Sequence, residues 1–125
     1  AVADLVAVLR AGRLVQVGTP DQVYERPVDL DVARLTGPVS LLDAGSAAIP
    51  VPPGQARLVR PDWVSFGGEI PGTVIHVRYR GPHTDYAVDV PGGTLMVRET
   101  GRVRRSPGER VTVSIDRTWP LEKAR

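Results

Sequence analysis

Apolar and polar positions follow one rhythm up to Gly37 and another beyond it. Leu5-Val6-Ala7-Val8-Leu9 is a continuous apolar run, the pattern of a strand buried on both faces. Arg10-Ala11-Gly12-Arg13 supplies a turn and Leu14-Val15-Gln16-Val17 returns, so the opening predicts a hairpin. A strand buried on both faces needs a layer on each side. Few residues precede this one, and the hairpin is therefore expected to be the edge of a larger sheet. Thr19-Pro20-Asp21-Gln22 then reads as a helix start, with Thr19 as cap, Pro20 in the first turn and Gln22 completing a capping box. Pro27 stops that helix. A second short helix is predicted from Asp29, as cap, through Val32-Ala33 to Leu35, ending at Gly37-Pro38. The Gly-Pro pair is the expected boundary between residues 1–37 and 38–125.

After the boundary the period becomes two. Val39–Leu42 and Ala56–Arg60 read as short strands separated by Pro50-Val51-Pro52-Pro53-Gly54. Ile75, Val77 and Tyr79 alternate with Val74, His76 and Arg78, and Tyr86, Val88 and Val90 alternate with Asp85, Ala87 and Asp89. Leu95 and Val97, then Val111, Val113 and Ile115, repeat the pattern. Gly81-Pro82, Pro91-Gly92-Gly93 and Pro107-Gly108 punctuate these runs. Five or six short antiparallel strands predict a mainly β fold, a small closed barrel of the OB type, with an SH3-like barrel as the second choice. Tyr79 and Tyr86 fall on the apolar faces and are assigned to the core, while Trp63 and Trp119, beside prolines, suit the ends of a barrel.

The composition allows a sizeable core without staples. The chain has 125 residues, no cysteine and a formal net charge of +2. Its apolar runs are too short to cross a bilayer, and the start lacks the charged flank and cleavage site of a signal peptide. Positive charge is carried almost entirely by arginine, Lys123 being the only lysine. Arginine suits phosphate and carboxylate recognition. Because the arginines do not gather in one block, codon bias is the favoured explanation of their number.

Catalytic signatures are missing from the sequence. Gly67-Gly68 and Gly92-Gly93 are isolated pairs with no GxxxxGK[ST] frame, no serine sits in a GxSxG elbow, and His76 and His83 have no neighbours at metal-ligand spacing. Asp85 and Asp89 are read as solubilising carboxylates on an exposed sheet face. Single-stranded nucleic acid would need a basic groove with stacking aromatics, and aromatics are sparse. What remains is a polar surface around Arg78, Arg80 and His83 and the loop carrying Arg98, Arg102, Arg104 and Arg105. These are the candidate regulatory or partner contacts, and removing the side chains of Arg102, Arg104 and Arg105 is expected to leave the fold alone.

One ordered series in the first 37 residues carries a resemblance. Ala3-Asp4 before the apolar strand, Gly12-Arg13-Leu14-Val15-Gln16-Val17-Gly18-Thr19-Pro20, Val23-Tyr24, Pro27, Val32-Ala33 and Gly37 resemble the end of the nucleotide-binding domain in ATP-binding subunits of ABC importers of the maltose, polyamine and iron(III) type. Arg60-Pro61-Asp62, Tyr79-Arg80-Gly81 with Thr84 and Tyr86, Gly108-Glu109 with Val111, and Trp119-Pro120-Leu121 resemble the transport-associated OB (TOBE) module that follows it.

This resemblance implies a regulatory, non-catalytic C-terminal piece of a larger subunit, with no catalytic, cofactor or metal residue of its own. ATP and Mg would be bound by the parent, whose phosphate loop, signature motif, catalytic carboxylate and switch histidine would all lie before Ala1. It further implies membrane-spanning permease subunits as partners, a second copy as dimer partner, a regulatory protein or small solute as effector, and a place at the cytoplasmic face of the membrane. The alternative is a stand-alone OB module binding an oxyanion or single-stranded nucleic acid.

Overall fold

The computed structural model describes residues 4–44, 46 and 48–122. The chain divides into two compact units, Ala1–Pro38 and Val39–Arg125.

In the first unit β1 (Val6–Arg10) and β2 (Arg13–Gly18) form the antiparallel hairpin. Ala11 and Gly12 both take positive φ, 50° and 77°. That pairing makes a two-residue turn whose twist matches the strands, and Ala11 holds it without glycine's freedom. Burial on both faces does not occur. Val8 is buried with Val23 and Val32, and Val6 and Val15 pack alongside, whereas Leu5, Leu9, Leu14 and Val17 are exposed. The reason is that α1 (Pro20–Glu25) and α2 (Leu30–Thr36) cover one face of the hairpin, and the described residues supply no layer on the other.

Capping sets both helices. The Thr19 Oγ1 accepts from the Gln22 N–H at 3.4 Å and the Gln22 Oε1 accepts from the Thr19 N–H at 2.9 Å, a reciprocal capping box. Gln16 ties the interhelix link to the hairpin. Its Nε2 donates to the Arg26 carbonyl at 3.0 Å and its Oε1 accepts from the Val28 N–H at 2.9 Å, satisfying main-chain groups on either side of Pro27.

At α2 the Asp29 Oδ1 accepts from the Val32 N–H at 2.9 Å and its Oδ2 from Arg10 Nη2 at 2.8 Å. Burial opposes the Asp29 charge, but these hydrogen bonds outweigh it and hold the carboxyl below its ordinary value. A carboxyl so depressed stabilises the folded state above its unfolded pKa of about 3.9, and loses that contribution as pH falls through the folded value. Asp29→Ala is expected to cost about 1 kcal/mol at neutral pH. Both α-helices of the described residues lie in the first unit, so melts followed by helical circular dichroism report on it. The gap between the two proteins should narrow as pH falls below about 4, because protonated Asp29 keeps a cap acceptor but loses its ion pair with Arg10. A gap that does not change with pH would refute the contribution of the carboxylate charge, and no gap at neutral pH would refute the cap itself.

In the second unit β3 (Ser40–Asp43), β4 (Gln55–Val59) and β9 (Trp119–Glu122) form one sheet in the order β3-β4-β9. A single 3-10 turn, Pro61–Trp63, leads from β4 into the second sheet. There β5 (Val64–Tyr79), β6 (His83–Val90), β7 (Gly93–Thr100) and β8 (Arg110–Ile115) lie in the order β7-β6-β5-β8, and all pairs are antiparallel. The unit is mainly β and OB-like, as expected, but its sheets do not close into a continuous barrel. Between β3 and β7 the Ser40 Oγ accepts from the Met96 N–H at 3.0 Å. A side-chain hydroxyl thus satisfies a group that a main-chain ladder would pair in a closed sheet.

The core contains Leu42, Leu58, Val59, Val74, Tyr86, Val88, Leu95, Val97 and Val113. Three expectations need correction. The register slips between Val74 and His76, so Val74 faces the core and Ile75 is turned out at 50% exposure. Tyr79, expected in the core, is 58% exposed because it is the last residue of β5 and lies opposite Thr84 at the end of the hairpin. Asp85, expected on a solvated face, is buried.

Candidate functional site

The buried Asp85 is the centre around which several of the candidate residues gather. Arg80-Gly81-Pro82 joins β5 to β6, and the Arg80 N–H donates to the His83 carbonyl at 2.8 Å. In register, Asp85 lies between Arg78 on β5 and Arg98 on β7, so the three side chains share one sheet face. Arg98 grips the carboxylate with two donors, Nε to Oδ1 at 2.9 Å and Nη2 to Oδ2 at 3.2 Å, the bidentate geometry that favours guanidinium over ammonium. His83 Nε2 stands 3.7 Å from Oδ1 and Arg80 Nε 3.9 Å from Oδ2. At those distances charge is felt but no hydrogen bond forms. The Asp85 side chain is 8% exposed beneath an Arg98 that is 33% exposed. One carboxylate therefore orders a surface whose remaining charge is positive.

The segment 101–109 between β7 and β8 is tied down rather than loose. The Gly101 N–H donates to the Pro82 carbonyl at 2.9 Å, and Thr84 Oγ1 donates to the Gly101 carbonyl at 2.8 Å. The Arg104 N–H donates to the Tyr86 hydroxyl at 2.8 Å. The Val74 N–H donates to the Glu109 carbonyl at 2.9 Å. Arg105 turns inward: its guanidinium lies 3.7 Å over the Phe66 ring, and Phe66 meets Tyr86 edge-on with centroids 5.2 Å apart. It also pairs with Glu99 at 3.5 Å and Glu109 at 3.8 Å. Arg102 and Arg104 are exposed. Removing the Arg105 side chain would thus disturb packing, contrary to the expectation for the loop as a whole.

Trp63 and Tyr86 are core residues, and Arg105 covers Phe66, so these rings do not build an open stacking surface. Among the described residues no three metal-ligating side chains converge, and no helix is long and apolar enough to cross a membrane. Asp85 was the residue sequence reasoning misplaced. The available signal was its place two residues after His83, opposite Arg98 once β6 and β7 are paired.

Residues 58–120 match the model of the TOBE domain, about half of the chain. The chain belongs to the TOBE domain family. The matched stretch of the TOBE domain starts on β4 and ends on β9, so it contains the whole four-stranded sheet and the Asp85 cluster. Similar proteins extend the match beyond those bounds. The Fe(3+) ions import ATP-binding protein FbpC 1 of Rhodococcus jostii is 34% identical over 136 residues, covering 90% of this chain and 39% of the relative. The FbpC of Streptomyces avermitilis is 35% identical, covering 93% of this chain and 39% of the relative. The spermidine/putrescine import ATP-binding protein PotA of Methylococcus capsulatus is 29% identical, covering 94% and 40%. The chain therefore spans about two fifths of the length of these curated relatives.

Proposed function

We propose that this chain is the regulatory C-terminal part of the ATP-binding subunit of an ABC importer. Residues 1–37 would complete the nucleotide-binding domain and 38–125 would form the regulator. The observation that carries the reading is the order of parts. A capped hairpin–helix segment bearing the importer motif series is followed by a TOBE domain, and relatives named as import ATP-binding proteins match across both.

The parent subunit binds ATP with Mg through residues outside this chain, works with membrane-spanning permease subunits, and sits at the cytoplasmic face of the membrane. The TOBE domain contributes no group to hydrolysis. A second copy pairs with it and holds two motors at high effective concentration while their ATP-bound interface opens and closes. An effector, a regulatory protein or a small solute, biases that equilibrium by about 1–3 kcal/mol. Arg78, Arg80, His83, Arg98, Arg102 and Arg104 form the contact surface, and Arg105 supports it from inside.

The test is ATP hydrolysis by the reconstituted parent transporter, full-length against truncated at the Gly37–Pro38 bond. Basal hydrolysis should stay within about twofold, and the response to effector should fall by the roughly fivefold to 150-fold factor that such a coupling energy represents. Loss of basal hydrolysis in a motor that remains folded would assign the tail to the catalytic unit instead.

A further inference from the structure

We infer that the outward face around Asp85 docks an acidic segment of a partner protein, an inference that rests on the regulatory reading and names the chemistry of the effector. Among the described residues, the charged side chains on this half of the sheet face are Arg78, Arg80, Arg98 and, when protonated, His76 and His83, with Asp85 as the carboxylate among them. Glu99 belongs to the opposite face, opposite Thr84 and paired with Arg105. The Asp85 carboxylate lies beneath its guanidinium partner. An approaching group therefore meets the cations first, and Arg98 arrives already oriented, so less side-chain freedom is lost on contact.

The layout selects the class of ligand. Arg78 and Arg98 stand in one row on the strands flanking β6, about 10 Å apart across the sheet. They rise from an open sheet face and do not converge on a point, as a small oxyanion would require. An extended chain presents side chains on one face every ~7 Å, so two carboxylates two residues apart can reach this row together. A broad anionic membrane fits less well. Exposed Asp89 lies on the same face of β6, four residues from Asp85 or about 13 Å along the strand, so a lipid surface spreading over the face would meet a carboxylate there before reaching Arg110, in the same row across Thr73. A short acidic segment stops before Asp89.

The probe is fluorescein-labelled hexaglutamate, titrated against the whole chain by anisotropy. Binding is expected at about 0.01 M ionic strength and should weaken about tenfold by about 0.15 M, as the Debye length falls from about 30 Å to about 8 Å. Replacing two exposed residues together, Arg78→Glu with Arg80→Glu, should weaken it about tenfold more. Arg110→Glu changes charge equally per site midway along β5, opposite Thr73 and about 17 Å from Arg78, and at about 0.15 M, where that is about two Debye lengths, should leave binding within about twofold.

No binding at low salt would overturn the inference. So would an Arg110→Glu loss equal to that of the double reversal, since net charge alone would then be at work. Inorganic phosphate or phosphatidylserine vesicles displacing the peptide, with the same dependence on Arg78 and Arg80, would reassign the face to a small anion or a membrane. The regulatory reading fails separately. If the reversals alter effector response in the parent while hexaglutamate does not bind, regulation stands and the acidic partner falls.

Discussion

Tyr86→Ala is expected to destabilise the second unit by about 3–5 kcal/mol, the range for removing a large core aromatic. Tyr86 is fully buried, packs in a T-shaped contact with Phe66, and its hydroxyl holds the Arg104 N–H. The substitution thus removes core volume, the partner of the ring that Arg105 covers, and the anchor of segment 101–109. Tyr86→Phe separates these roles. It keeps the ring and should cost only about 0.5–1.5 kcal/mol, the net value of one hydrogen bond. Hydrogen exchange at the Arg104 amide should nevertheless quicken in Tyr86→Phe, because the loss is local. Trp63 and Trp119 both lie in the second unit, so urea unfolding followed by tryptophan fluorescence reports on that unit. A Tyr86→Ala cost below about 1 kcal/mol would mean that the segment is held without this ring.

Gly72→Val is expected to cost about 3 kcal/mol, at the upper end of the overpacking range. A Cβ at Gly72 would lie 2.6 Å from Val88 Cγ1, 3.0 Å from the Asp89 carbonyl oxygen and 3.2 Å from Val90 Cγ1. Val88 is fully buried and β-branched, so it has no alternative rotamer to move into cheaply. The strand itself must shift, and β5 is the strand that carries both β6 and β8. The mechanism makes a further claim. With Gly72→Ala as the smaller change, adding Val88→Ala should cost less than the sum of the two single effects, by about 1 kcal/mol, because it removes the nearest clashing atom. Strict additivity in that cycle, measured by urea unfolding, would show that the strain lies elsewhere.

Much of the local architecture is legible in the residue order. Ala11-Gly12 between apolar strands, Thr19-Pro20-Asp21-Gln22, Asp29 before Val32, and Gly37-Pro38 mark a turn, two caps and a stop that the structure contains. Each involves groups within about four residues of one another, where backbone geometry leaves few choices. The alternation on β6 and β7 is equally direct, since Tyr86, Val88, Leu95 and Val97 all face the core. The first half of β5 is not legible. Gly67, Gly68, Pro71 and Gly72 interrupt the period, and Phe66 and Ile70 both pair opposite Val113 around a bulge. Likewise β9 is four residues with a proline in it, a strand recognisable only when β4 lies beside it.

The sequence by itself determined the mainly β character of the chain after Gly37, its turns and caps, the missing catalytic signatures and the importer motif series. Tertiary structure decided which way the remaining side chains face. A one-residue slip exchanges the faces of a strand, and the slip at Val74/His76 exposes Ile75. Asp85 becomes buried through Arg98, thirteen positions away, and Arg105 turns inward because Phe66 and Glu99 wait there. These contacts depend on strand register and on a loop crossing a sheet, which arise from packing over the whole unit and leave no periodic trace in the chain.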